Sequence, residues 1–389
     1  MEEVPYKLFP AFVQRKTWRS IYAFIDQSVQ VTDELKEDWR RAIDFMRAEL
    51  GNGFFTTARI DHPLSHLMGS ASKAEVEYLV RWVNTLIHLK TNPMSYAVLM
   101  DKLRSSTKCR PEGMPFMEIA LSFSMPDLHV SFIPESKEAG IKTPDVMVKN
   151  TVTGENLFVE VSRVNDAAER AKQTDQYHAI LKVIDRNGFD LPMAGALKKY
   201  LNEEEFDETV RDIKYLKEAC WRDQSMVSII NHRIAIAFST NGSFSQLEEW
   251  CIQTGYSRGF SGLSVNFNDI HRIVDRGRIA DKALQIPKTE TGLLYFPVQA
   301  LFLLFSDPFE LIESLQFPLS KQPHIFGVVL FAEMKGSLKK DVYMDCRDFI
   351  YSVSTDERHY TRETIFVENI AYAGNLSSEM QYAIRKSIA

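Results

Sequence analysis

Two acidic residues between Ile141 and Val164 stand where a carboxylate could do chemistry. Asp145 follows Pro144 at the head of the β-prone run Asp145 to Val148. Glu160 interrupts the apolar run Leu157 to Val161. The residues between, from Asn150 through Gly154, have turn composition, so the segment reads as a β-hairpin with one acid in each arm. Strand alternation sends Glu160 and Ser162 to one face and Val159 and Val161 to the other. A carboxylate at the end of a buried apolar run carries a desolvation cost that a partner or a metal usually offsets. Two such groups on neighbouring strands repel when both ionise, and a divalent cation removes that penalty. Mg²⁺ takes few protein carboxylates and keeps several of its waters. An ion so held can activate a water and stabilise charge developing on a phosphoryl group.

Pro144-Asp145, a gap of fourteen residues and then Glu160-Val161-Ser162 resembles the signature of the PD-(D/E)XK nucleases, the restriction-endonuclease-like fold. The resemblance implies a Mg²⁺-dependent phosphodiesterase acting on DNA, with Mn²⁺ as a second candidate cofactor. It implies Asp145 and Glu160 as metal ligands, with the Val161 backbone carbonyl as a third. In that family a lysine two residues after the Glu orients or activates the attacking water, and here Ser162 occupies its place. The family relocates this lysine in some members, so Lys142, Lys149 and Lys172 are substitutes, with Lys172 preferred because it lies early in the helix expected after the Glu160 strand. Lys282, in Lys282-Ala-Leu-Gln285, is a further candidate. Glu118 could contribute through a water. Gln173 and Tyr177 form a QxxxY pattern similar to that of the RecB-like branch. Ser162 and Gln173 therefore join Lys172 as candidate catalytic residues, although Tyr177 also falls at core spacing with Ile180, Leu181 and Ile184.

These motifs need elements to position them. Pro115 to Leu121 reads as a helix, Leu128 to Ile133 as a first strand, and Asn165 to Glu169 as the capped start of a helix after the hairpin. Further on, Asn202 caps an acidic helix, Ile234 to Phe238 is a strand apolar enough to be buried on both faces, and Ser243 to Thr254 is a helix. Ile270 to Gln285 is a basic helix with Gly277 inside it. The apolar run from Leu293 and the run Phe326 to Phe331 are further strands. Upstream, Thr32 caps a helix over Asp33 to Leu50, and Ser72 with Glu75 opens another. The expected fold is α/β, a mixed central sheet flanked by helices behind an all-helical N-terminal region. Three segments are expected: 1–112 helical, 113–335 the nuclease-like core with helical insertions, and 336–389 an α+β extension. Glu333-Met-Lys335 is a literal ExK without a Pro-Asp arm nearby, and reads as a solvated strand end that no second acid approaches.

The 389 residues carry a net charge of −6 and a pI of about 5.9, which is not the footprint of a protein that coats nucleic acid. Basic residues cluster locally, at Lys102, Arg104, Lys108 and Arg110 and again at Arg272, Arg276, Arg278 and Lys282; each cluster is expected to be a solvated helix face. No apolar run suits a membrane span, no leader pattern is seen, and the four cysteines lack CxxC spacing, so a reducing cytoplasmic setting is expected. Two other classes stand beside the nuclease: a nucleic-acid- or protein-binding module that keeps the fold without catalysis, and a structural α/β protein whose acids bind no metal. Oligomeric state is not legible.

Overall fold

The computed structural model describes residues 17–57, 62–70, 72–104, 113–136, 138, 142–162, 168–186, 191–262, 277–298, 303, 307–336 and 339–389. Its strands, in chain order, are β1 (Leu128–Phe132), β2 (Val146–Asn150), β3 (Asn156–Val161), β4 (Met193–Leu197), β5 (Val227–Ile230), β6 (Ile234–Phe238), β7 (Gly259–Ser261), β8 (Gly292–Pro297), β9 (Ile325–Lys335), β10 (Val342–Asp345), β11 (Phe349–Thr355) and β12 (Tyr360–Glu368). The protein is mixed α/β, and its chain folds as two units. One combines 17–165 with 268–389, and the other lies within 166–267. This grouping cuts across the three successive segments expected from the sequence, because 1–112, 113–335 and 336–389 all contribute to the larger unit.

The larger unit is built on a mixed eight-stranded sheet of order β1-β2-β3-β8-β9-β12-β11-β10. β1 pairs antiparallel with β2 and β2 with β3, whereas β8 lies parallel to β3 and β9 parallel to β8. Alternation along β8 shows how both faces are covered. Leu293 and Tyr295 enter one core and Leu294 and Phe296 the other. The first core takes in α1 (Trp18–Gln27), α2 (Asp33–Leu50), the short α3 (Phe54–Thr57) and α4 (Pro63–Met68), and α5 (Lys73–Leu89), α6 (Pro93–Arg104) and α7 (Gly113–Ser122). The helical N-terminal region is therefore a layer of this unit. Its caps form as expected: Thr32 accepts from the Leu35 N–H and Ser72 from the Glu75 N–H.

The smaller unit has its own four-stranded sheet, β5-β6-β4-β7. β6 is buried throughout, and an apolar strand of that kind needs cover on both faces. On one face its Ile234, Ile236 and Phe238 share a core with α8 (Ala168–Arg186) and α9 (Glu203–Asp223), to which Tyr177 and Ile213 belong. On the other, Ala235 and Ala237 meet Leu247 and Trp250 of α10 (Phe244–Thr254). The segment expected to hold helical insertions is thus an inserted α/β unit with a core of its own.

The other face of the large sheet is covered by α11 (Arg278–Ala283) and α12 (Pro308–Ser320). Gly277 does not sit inside the basic helix as expected; it is the residue before α11 and adopts the left-handed conformation, φ +67°. Residues 270–276, assigned to the same helix, lie outside the described residues. α13 (Ser378–Ile388) closes the chain in the first core, and Ser377 ahead of it binds the hairpin turn, its N–H and hydroxyl each 2.6 Å from a Glu155 carboxylate oxygen.

One backbone position in the smaller unit makes a direct test of this packing. Gly195 has φ +150°, and a Cβ there would lie 2.1 Å from the Ala235 carbonyl oxygen and 2.8 Å from the Ile236 Cα. Backbone atoms of a paired strand cannot yield as a side chain could. Gly195→Ala is expected to cost at least about 2 kcal/mol, read as a lowered Tm; an unchanged Tm would contradict this register of β4 against β6.

Candidate functional site

The hairpin forms where its sequence implied. β2 and β3 pair with Val146 opposite Val159 and Lys149 opposite Asn156. In the turn the Asn150 side chain accepts from the Val152 and Thr153 N–H groups, and Gly154 takes φ +77°. Val146, Val148, Leu157 and Val159 fill one core, and Phe158 packs on the other. Glu160, two residues after Phe158, is directed to that second face and is 2% exposed.

Continuing the register one step past Val146 and Val159 sets Asp145 opposite Glu160. Asp145 is held at two points. Its carbonyl oxygen accepts from the Ile133 N–H just past β1, and its Oδ2 accepts from the Val161 N–H, both at 2.9 Å. The Asp145 carboxyl acts on that of Glu160. Burial, reinforced by the Asp145 charge and opposed by Lys282, pushes the Glu160 carboxyl up to about 7. Burial also raises Asp145, against the Val161 N–H, Lys102 and Lys282. Among the described residues, Glu160 Oε2 has no hydrogen-bond donor.

The cations around this pair come from both basic clusters. Lys282 Nζ on α11 donates to Glu160 Oε1 at 2.7 Å. One turn earlier on the same helix, Arg278 donates through Nε and Nη2 to Ser162 Oγ at 3.1 and 3.0 Å. Residues four apart lie about 6 Å apart along a helix and residues two apart about 6.6 Å along a strand, so the two contacts match in spacing. Lys102, on α6, lowers the Asp145 pKa and pairs with Glu135 at 3.2 Å. The expectation of solvated faces is corrected for these three residues, whereas Lys108, Arg110, Arg272 and Arg276 lie outside the described residues.

Other expected site residues differ in their surroundings. Lys149 and Lys142 are exposed. Lys172 and Gln173 lie on α8 in the smaller unit, with side chains outside the described residues. Tyr177 serves that unit's core: it stacks on Phe260 at 5.8 Å between centroids and its hydroxyl donates to the Phe260 carbonyl at 2.6 Å. Val161 reaches the site through its N–H on Asp145. Glu118 is engaged elsewhere, accepting from Arg362 at 2.6 Å and from the Tyr78 hydroxyl at 3.1 Å. That same cluster contains Glu333, which pairs with Arg358 at 3.2 Å and lies 3.8 Å from Arg362. The Arg358 guanidinium lies 3.6 Å from the Tyr78 ring centroid. Glu333 is therefore no solvated strand end, and a second acid, Glu118, does act on it. Burial first and then the Glu118 charge raise its carboxyl to about 7. Two arginines neutralise this cluster as an ion-pair network, and the Lys335 side chain lies outside the described residues.

Among the described residues no set of three or more His, Cys, Asp or Glu side chains could hold a metal together. The donors at Asp145 and Glu160 suit an ion that takes few carboxylates and keeps its waters. Among the described residues Glu160 Oε2 is a buried oxygen without a donor, on a carboxylate whose ionisation is suppressed, which a cation would relieve. The residues present fit Mg²⁺ or Mn²⁺ on these grounds. Comparison with family models, with curated proteins and with solved structures finds no match.

The raised Glu160 pKa fixes a pH dependence. A carboxyl that stays protonated to about pH 7 when folded, but only to about 4.5 when unfolded, subtracts stability as pH rises through that interval. Glu160→Gln removes this contribution. The Tm of the variant minus that of the wild type, in the absence of metal, is expected to rise by a few degrees between about pH 5 and pH 8. A difference that falls with pH would place the carboxyl below its ordinary range.

Proposed function

We propose that this chain is a Mg²⁺-dependent phosphodiesterase acting on DNA, with Asp145 and Glu160 as metal-holding carboxylates and Lys282 as the cation that stands in for the motif lysine. One observation carries the reading: a buried Glu160 set opposite a half-buried Asp145 across a hairpin has a lysine ammonium 2.7 Å away, although Ser162 occupies the position two residues on. A mixed sheet with helices on both faces accords with the fold that the sequence resemblance implies. No helix among the described residues is long and apolar enough to cross a membrane.

In this reading Glu160 uses its two oxygens separately, with Oε1 on Lys282 and Oε2 toward the ion, while Asp145 is fixed by the Val161 N–H. A bound Mg²⁺ supplies Lewis-acid polarisation and a water of lowered pKa. Hydrolysis forms a P–O bond from water and breaks a P–O ester bond; one proton from the water ends on the leaving oxygen and the other in solvent. Lys282 contributes fixed positive charge where negative charge accumulates on the phosphoryl oxygens. Its own position is set by α11, whose Ile279 and Ala283 are buried in the second core. His324 Nε2 lies 3.1 Å from the Ala283 carbonyl oxygen at the end of that helix.

A binding protein that keeps this site without cleaving is the second reading, favoured by the serine at the lysine position. Cleavage of single- and double-stranded DNA in Mg²⁺ separates the two. Asp145→Asn, Glu160→Gln and Lys282→Ala are each expected to lower the rate by about 10²-fold or more, and chelation to abolish it, while Lys172→Ala retains it. Wild-type activity that survives Lys282→Ala but not Lys172→Ala would return the lysine role to α8. Metal binding without cleavage would favour the binding protein.

A further inference from the structure

We infer that β10 is a self-association edge, where a second copy of this chain adds its own β10 antiparallel and continues the eight-stranded sheet across a two-fold axis. β10 ends that sheet, and among the described residues no further strand lies beyond it. The opposite edge is covered by α6, whose Ser95 hydroxyl accepts from the Phe132 N–H of β1 at 2.7 Å. At β10 the phase of the ladder decides which backbone groups are left over. The Cys346 N–H donates to the Phe349 carbonyl at 2.9 Å, and Met344 and Val342 stand opposite Tyr351 and Val353. Antiparallel bonding alternates, so Cys346, Met344 and Val342 turn their backbone toward β11, whereas Tyr343 and Asp345 turn theirs outward. Outward N–H and C=O groups of an edge are a template for another strand. Tyr343 on one face is 60% exposed and Val342 on the other 37%, so the strand is open from both sides.

Charge selects both the occupant and the register. A two-fold axis at Met344 sets Tyr343 of each chain opposite the partner's Asp345, and each such pair exchanges both of its N–H···O=C bonds. The same axis brings Lys340 to the partner's Asp348 and Asp341 to the partner's Arg347, so each end of the strand meets opposite charge. An axis at Tyr343 would set Asp341 opposite the partner's Asp345, and an axis at Asp345 would set two aspartates together; like charges directly opposite disfavour both. Lys340, Asp341 and Arg347 are exposed, and Asp345 is paired with Arg385 of its own chain. The apolar face completes the fit. Met344 and Phe349 border the second core, and Phe309 of α12, 47% exposed, stands edge-on to Phe349 at 6.3 Å. At the axis Met344 meets the partner's Met344, which covers the open rim of that core in both copies. A short, charged edge ordinarily keeps sheets apart; these charges repel in the shifted registers and attract in one.

The test is analytical ultracentrifugation of the full chain over a concentration series. The weight-average mass is expected to rise from 44.7 kDa toward twice that value. A mass that stays at the monomer value up to about 100 µM would overturn the inference. Tyr343→Pro removes an outward N–H without breaking a bond to β11, and is expected to leave the chain monomeric with its Tm unchanged; a dimer that survives it in a folded chain would overturn the inference. The register has a test of its own. Lys340→Asp is expected to weaken association about tenfold, because the two-fold axis makes the substitution act twice. Adding Asp348→Lys to Lys340→Asp is expected to restore it. The two residues stand at opposite ends of β10, about 20 Å apart along the strand, so the rescue cannot arise within one chain. Should Tyr343→Pro fail to fold, this charge pair decides. Wild-type association in Lys340→Asp, or weakening that the double variant does not rescue, would overturn the pairing.

Discussion

Burial of the Glu160 carboxyl beside the half-buried Asp145, at one end of a hairpin, is the constraint that the surrounding structure answers. Asp145 and Glu160 face each other across β2 and β3, and neither can ionise cheaply there. The Val161 N–H and Lys102 act on Asp145, and Lys282 on Glu160. Even so, Glu160 stays protonated to about pH 7 and one of its oxygens has no donor among the described residues. A divalent cation at this place would favour the ionised form that burial disfavours. Buried polar groups are ordinarily hydrogen-bonded, so an oxygen without a donor calls for an account.

The second carboxylate cluster shows the contrast. Glu118 and Glu333 are also close enough to raise the Glu333 pKa, yet two arginines and the Tyr78 hydroxyl meet them. Guanidinium groups lying over aromatic rings leave that cluster paired and enclosed between α5, α7, β9 and β12. The cations at Asp145 and Glu160 instead stand on α6 and α11, two elements on different faces of the sheet. Perturbed acids occur at both places, and only their partners distinguish a site from a structural network.

Much of the hairpin was legible in the sequence because strand alternation has a period of two. It placed Glu160 and Ser162 on one face and Val159 and Val161 on the other, and the turn chemistry of Asn150 and Gly154 set the register. The sequence reading preferred Lys172 and held Lys282 as a further candidate, and it is Lys282 that contacts Glu160. Lys282 is 122 residues from Glu160, because an α/β unit with its own core is inserted after β3. Proximity along the chain favoured Lys172, which lies in that insertion. The available signal was the four-residue spacing of Arg278 and Lys282 in a basic cluster, matched to the two-residue spacing of Glu160 and Ser162. Gly277 was read as a helix interior because periodicity alone does not reveal a left-handed start. Glu333 was read as solvated because its neutralising partners come from far along the chain, Arg362 from β12 and Arg358 from the turn before it.

The claim on which the account turns is that Asp145 and Glu160 hold one divalent cation together. Anomalous diffraction from crystals soaked in Mn²⁺ tests it most directly. The account predicts a single peak about 2.1–2.2 Å from Asp145 and from Glu160 Oε2, with Lys282 still on Oε1. A peak elsewhere, or none with both carboxylates unchanged and Oε2 bound by a water, would contradict it.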